Sequence, residues 1–409
     1  MTQTNNVPRL RFPGFSEDWG IKKLSDITRR ISDGIHTTPK YDDRGVYYFI
    51  NGNNFVANRV NISESTRTVS REEYIKYKKD LDENTILMSI NGTIGSLARY
   101  NNEPVILGKS ACYINICDEI NREYIYNFLK TYRVKTYFNS ELSGSTIKNL
   151  SIKTIKNTSV PVPDISEQKK IADFLTAIDE KITIIDKKIE LLKQYKKGAM
   201  QKVFSQQIRF KDETGKDYPA WQHITLDDVL TFARNGLSIE QNTRNLGRKV
   251  TRIETISTGS VNPMKTGYID TDLDISEYKL KVGDLLFSNI NSPSQIGRTV
   301  YVDREYDIYH GMNLLCLRVD NENSPLYVYY LLTSHKYKQY FEAICNKAVN
   351  QASINQTDLK KTKIVMPSKE EQCKVADFLA SLDDKIKLTE EQLVQAKTFK
   401  KSLLQRMFV

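Results

Sequence analysis

No stretch of this 409-residue chain approaches the roughly 20 apolar residues that a membrane helix requires. Met1 to Pro8 hold no apolar signal core either, so the expected location is the cytoplasm. Cysteine is scarce: Cys112, Cys117, Cys316, Cys345 and Cys373 are scattered and never form a CxxC pair, which excludes a disulfide framework and a zinc site of the usual spacing. Four histidines, His36, His223, His310 and His335, lie far apart and give metal catalysis little material. A phosphate loop needs glycine at both ends of GxxxxGK[ST], and Gly108-Lys109-Ser110 has Glu103 where the first glycine belongs. The Asn/Asp-Pro-Pro-aromatic loop of amino-methyltransferases is also missing, Asn262-Pro263-Met264 being the nearest approach. No Ser/His/Asp or Cys/His constellation stands out. Asp270, Asp272, Asp274, Glu277 and Lys279 are the sole support for a metal-dependent nuclease, and a solvated acidic turn explains them more simply. The expectation is a chain with no catalytic residues, no bound metal and no cofactor of its own.

What the chain has is positive charge and self-similarity. Net charge is +10, and it is lopsided: residues 1–206 carry 32 basic and 24 acidic side chains, the remainder 28 and 26. A polyanionic partner is one reading of that excess. Glu167 to Phe204 aligns without a gap on Glu371 to Phe408, with 15 identities in 38 positions, and both copies open EQ-x-K-x-ADFL. Upstream, Pro163 matches Pro367, Tyr124-Ile125-Tyr126 matches Tyr327-Val328-Tyr329, Gly95 matches Gly297, and Trp19 with Leu24 matches Trp221 with Leu226. One module is written twice.

Each copy ends in a long apolar period of about 3.5 residues. In the first it runs through Ile171, Leu175, Ile178, Ile182, Ile185, Ile189 and Leu192; in the second through Val375, Leu379, Leu382, Ile386, Leu393, Ala396 and Leu403, interrupted at Thr389. That period, with charge between, predicts the seam of a two-helix coiled coil. Asp164 with Glu167, and Ser368 with Glu371, read as capping boxes at the helix starts. The rest of each copy mixes short apolar runs with turn-rich stretches, so the fold class is α+β. The predicted order is a domain over 1–165, a helix over 166–206, a second domain over 207–368 and a second helix over 369–409. Tyr124–Phe138 and Leu326–Phe341 have helical spacing; Thr85–Ile90 and Asp284–Ser288 read as strands.

The stretches that match poorly between copies hold polar loops suited to reading base edges. In the first copy these are His36, Thr37, Lys40 and Tyr41; Asn51, Asn53 and Asn54; Ser89, Asn91 and Thr93; Lys109; and Ser145, Thr146, Lys148 and Asn149. In the second they are Arg248, Thr251, Arg252, Ser257, Ser288, Asn289, Asn291, Ser294, Gln295, Asn350, Gln351, Ser353 and Asn355. Singly each is an ordinary turn former; the functional reading rests on their collective placement in the divergent parts of a duplicated module.

Two divergent domains, each followed by a repeated helix opening EQ-x-K-x-ADFL and closing through Lys193, Lys196 and Lys197 or Lys397, Lys400 and Lys401, resemble the specificity subunit of type I restriction-modification enzymes. The resemblance implies that each variable domain is a target recognition domain reading one half of a split, asymmetric sequence in double-stranded DNA. It implies that the helices form an antiparallel coiled coil that separates the domains and docks methyltransferase subunits, two of them, with restriction-translocase subunits joining through the complex. S-adenosylmethionine, ATP and magnesium would then belong to partner chains. A helical adaptor binding only proteins is the alternative, and salt-independent behaviour toward DNA would favour it.

Overall fold

The computed structural model describes residues 7–143, 148–242, 245–348 and 351–408. The chain forms two compact units that are not linear halves: one combines residues 1–187 with 390–409, the other is 188–389. Both boundaries fall inside the two long helices, Ile165–Phe204 and Lys369–Met407.

The first unit is built on a six-stranded sheet. Its strands lie in the order Thr28–Asp33, Ala111–Ile116, Thr85–Ser89, Leu97–Arg99, Arg59–Val60 and Phe55–Val56. The strands Ala111–Ile116 and Thr85–Ser89 are buried along their whole length, with Tyr113 opposite Leu87 and Ile114 opposite both Ile86 and Ile31. The second unit repeats this core in four strands, Leu230–Asn235, Leu315–Val319, Leu285–Phe287 and Thr299–Tyr301. In each unit the strand after the tryptophan pairs antiparallel with the strand before the long helix, Gly20 opposite Val162 and Gln222 opposite Met366.

The glutamate and glutamine of the repeated EQ motif hold these pieces together. Glu167 is buried and accepts from Arg11 Nε and Nη2 at 2.7 and 2.8 Å and from Trp19 Nε1 at 3.0 Å. Glu371 is buried likewise, accepting from Arg209 Nη2 at 2.7 Å and Trp221 Nε1 at 2.9 Å. Gln168 and Gln372 accept from the backbone N–H of Asn121 and Ser324 while donating to the carbonyls of Pro163 and Pro367. The capping-box reading of both glutamates is thereby corrected: their carboxylates turn inward to a charged and a neutral donor instead of back to the helix start. Asp164 still accepts from the Ser166 N–H at 2.8 Å.

The helical stretches 124–138 and 326–341 are each broken into two helices, Arg122–Leu129 with Tyr132–Ser140, and Pro325–Thr333 with His335–Ile344. The break sits at Thr131 and Ser334, whose extended ψ of 154° and 155° turns the chain.

In each unit the start of one long helix runs antiparallel to the end of the other. In the first, Ile171 and Leu175 share a core with Leu403, Leu404, Met407 and Phe408, and Lys400 pairs with Asp179. In the second, Val375, Ala376 and Leu379 share a core with Ala199 and Val203, and Lys196 pairs with Asp383 at 2.6 Å. Every predicted seam residue is buried or half-buried. Thr389 does not break the register: it is buried, its hydroxyl donating to the Lys385 carbonyl at 2.7 Å.

Candidate nucleic-acid interface

Loops at one end of the central sheet converge in the first unit. Asn51 leaves the strand Tyr47–Ile50, Ser89 ends its own strand, and Gly108 to Ser110 enter the strand Ala111–Ile116. Ser110 Oγ donates to Asn51 Oδ1 at 2.9 Å and accepts from the Gly52 N–H at 3.0 Å. Asn54 Oδ1 accepts from the Asn51 N–H at 3.0 Å, and Ser89 Oγ donates to the Asn91 carbonyl at 2.9 Å. Asn91 is bridged to Asn149, and Ile35 to Gly108. Such close approach requires Gly52, since a Cβ there would lie 2.1 Å from Ser89 Oγ.

The 51–54, 89–93, 108–110 and 148–149 loops therefore form one rim, with the Gly34–Thr37 turn beside it. Thr37, Lys40, Tyr41, Asn53, Thr93, Lys109 and Lys148 are exposed. The His36 side chain is 70% exposed, with Nε2 2.8 Å from Asp33 Oδ2. Lys40 and Tyr41 lie further along: the Lys40 N–H donates to Glu73, and the Tyr41 ring sits beside Phe49 and Arg67. Ser89 is fully buried and occupied inside the fold, and Asn51 and Asn54 spend acceptors on the rim itself.

The second unit builds the same rim from different side chains. Gly34 and Gly236, 202 apart, each pass so close to a carbonyl that a Cβ would lie 2.0 Å from it. Leu237 is bridged to Gly311 as Ile35 is to Gly108. Thr255 Oγ1 accepts from the Arg252 N–H at 2.8 Å, as Asn54 does from Asn51. Asn291 Nδ2 donates to Ser288 Oγ at 2.9 Å, and the strands Ile290–Asn291 and Gln351–Ser353 pair. Thr251, Ser288 and Asn289 are buried; Thr251 Oγ1 accepts from Gly311 N–H, and Asn355 caps the helix Gln356–Lys360. Arg248, Arg252, Ser257, Ser294 and Gln351 are exposed, and Gln295 and Ser353 half-buried. Ser145, Thr146 and Asn350 lie outside the described residues.

The acidic run 270–279 does not gather into a site. Asp274 caps the Ser276 N–H at 3.0 Å, Glu277 pairs with Arg234 at 2.7 Å, and Lys279 reaches Asp307 at 3.6 Å. Among the described residues no group of three His, Cys, Asp or Glu could hold a metal ion, and no helix is long and apolar enough to cross a membrane.

Sequence reasoning missed Arg11 and Arg209, the partners of the buried glutamates. The signal was present as Arg-Phe before each tryptophan, obscured by a spacing of eight residues in one copy and twelve in the other. Their neighbours Phe12 and Phe210 pack on Phe174 and Phe378, ring centroids 5.5 and 5.6 Å apart.

A family model described as the type I restriction modification DNA specificity domain matches residues 16–194 and again 219–398. A putative type I restriction enzyme MjaX specificity subunit of Methanocaldococcus jannaschii is 41% identical over 202 residues, which span 48% of this chain and 48% of that protein. The MjaVIII specificity subunit of the same organism is 23% identical over 97% of this chain and 92% of its own length. The crystal structure of the type I restriction-modification S subunit from M. genitalium shares the fold, with a TM-score of 0.59 at 18% identity over 98% of this chain and 99% of that one.

Proposed function

This chain belongs to the type I restriction modification DNA specificity family, and we propose that each of its units reads one half of a split DNA target while its long helices dock methyltransferase subunits. The observation that carries the reading is the rim: two units repeat the same glycine contacts and the same turn hydrogen bonds, yet offer different exposed side chains. A scaffold held constant under varied polar groups suits two independent base readers, since hydroxyls, amides and guanidinium groups match different base edges in the major groove.

Docking is supported by apolar residues on the outer faces of the helices. The first unit exposes Ile184 and Phe399; the second exposes Leu388 and Tyr195, the same two repeat positions. Large side chains more than half exposed at matched positions fit the apolar face of a partner helix. Methylation, DNA translocation and cleavage, with their S-adenosylmethionine, ATP and magnesium, then fall to the methyltransferase and restriction subunits of the complex.

The test is a domain exchange. Replacing residues 8–163 by the same segment of a relative, in cells that supply the methyltransferase, should change one half of the methylated sequence and leave the other. Methylation mapped by long-read sequencing that changed in both halves, or in neither, would refute independent reading.

A further inference from the structure

A cationic groove of the second unit shares no lining residue with its rim. A groove of about 930 Å³ lies between the end of the first long helix and the corner that opens the helix His335–Ile344. Six lysines line it, Lys193, Lys196, Lys197, Lys202, Lys336 and Lys338, with no carboxylate among the lining residues. Lys196 is committed to Asp383. At the corner stands Ser334, in the N-cap position of a ten-residue helix but with no capping hydrogen bond from its side chain. Ser334 is 4% exposed, lines the groove, and its Oγ has no hydrogen-bond partner. A buried hydroxyl left unpaired costs free energy unless something outside the fold completes it. A helix N-terminus also presents N–H groups and partial positive charge to whatever stands before it.

The first unit repeats the arrangement at the same repeat positions. Lys130, Lys135, Lys397, Lys400 and Lys401 line a groove of about 450 Å³ beside the end of the second long helix. Its one carboxylate, Asp179, is taken by Lys400. Burial, with Lys400 adding its charge, pulls Lys130 down to about 8. Thr131, the counterpart of Ser334, instead accepts from its own helix at Val134 N–H. Asn58, Lys130 and Lys135 are shared with a second groove that extends to Ile94 and Gly95, which directly follow the 89–93 loop of the rim.

We propose that the second unit's groove seats a backbone phosphate of the DNA that the unit reads, held by the Ser334 hydroxyl, the first turn of the helix His335–Ile344 and Lys197, Lys336 and Lys338. This rests on the DNA-reading function proposed above. A phosphate seat fixes register on the duplex and carries no sequence information, so it complements the rim.

The experiment uses the full chain assembled with its methyltransferase subunits, comparing the wild type with Ser334→Ala and with the double variant Lys336→Gln/Lys338→Gln. Affinity for a duplex carrying the methylated sequence and for a scrambled duplex is measured across a range of KCl. The salt slope should fall by roughly 0.9 for each phosphate no longer neutralised. Both duplexes should weaken by the same factor, while the methylated sequence stays that of the wild type. Ser334→Ala should melt no lower than the wild type, because its hydroxyl bonds nothing in the fold and leaving it unpaired costs free energy. A wild-type complex without salt-dependent DNA binding would overturn the function itself. Wild-type DNA binding with unchanged slopes in both variants would overturn the seat alone. So would variants that fail to assemble with the methyltransferase on size exclusion, which would mark the groove as a protein-binding surface. Inorganic phosphate is the control for a free-anion pocket: binding of phosphate lost in Ser334→Ala, with DNA affinity unaltered, also defeats the proposal.

Discussion

At the scale of single residues, the repeated Arg-Trp-Glu clusters are the parts least open to substitution. Glu167 and Glu371 are each surrounded by a guanidinium and an indole N–H with almost no water. Removing the carboxylate leaves a part-buried charge unpaired, so Glu167→Ala and Glu371→Ala should each destabilise by about 3–5 kcal/mol, read from urea unfolding. Glu167→Gln should recover part of the loss, because its amide oxygen still accepts from Trp19. His310 adds a pH term to the second unit only. It is buried, with Nε2 3.0 Å from the Leu314 carbonyl, and burial pulls it down to about 4. The folded value lies below the unfolded one near 6.5, so the unfolded chain binds more protons between them. Stability of that unit should fall as pH drops from about 6.5 to about 4, by roughly 3 kcal/mol in all. Hydrogen exchange in residues 188–389 should show this loss, and His310→Gln should flatten it. Sequence pattern could not have assigned these glutamates correctly: a Glu three residues after Asp or Ser looks the same whether it bends back to the helix or inward to a residue about 150 positions away.

Among elements, the long helices were the most legible, because a 3.5-residue apolar period sustained over 40 residues suits a helical seam and little else. Even Thr389, which reads as a break in that period, keeps its place by bonding its own helix. Leu175 and Leu379, fully buried at matching positions, offer a direct comparison. Truncation of either to Ala should cost about 2–5 kcal/mol. Hydrogen exchange should localise the loss to the unit holding the altered residue, and a loss spread evenly over both would contradict separate cores. The sheets were harder to read. Their strands run two to six residues, and register is set by topology and not by spacing: Ala111–Ile116 pairs with Thr28–Asp33, and Leu315–Val319 with Leu230–Asn235, about 80 to 90 positions away in each case. The corners at Thr131 and Ser334 escaped detection because apolar spacing continues through them while the backbone does not.

For the whole molecule, duplication was legible and its consequence for compactness was not. Sequence order suggests domain, helix, domain, helix. The compact units instead join residues 1–187 to 390–409, with 188–389 falling between those segments in the chain. The same exchange explains why the helix ends, so regular in sequence, match one another better than the domains do: each must fit a core made largely by the other copy. The base-reading loops diverge because no core constrains their tips, which is also why their placement, but not their specificity, follows from the fold.

That joining has a cost in time. Leu403, Leu404, Met407 and Phe408 complete the core around Trp19, Tyr124 and Leu175, yet they are synthesised only after the whole of the second unit. At about 5–20 residues per second, the stretch from Lys188 to Phe408 takes on the order of 10–40 s to be made. Throughout that interval the first unit waits on the ribosome with an apolar face uncovered, while the second, continuous in the chain, has all its parts in hand. The unit begun first is therefore the one finished last.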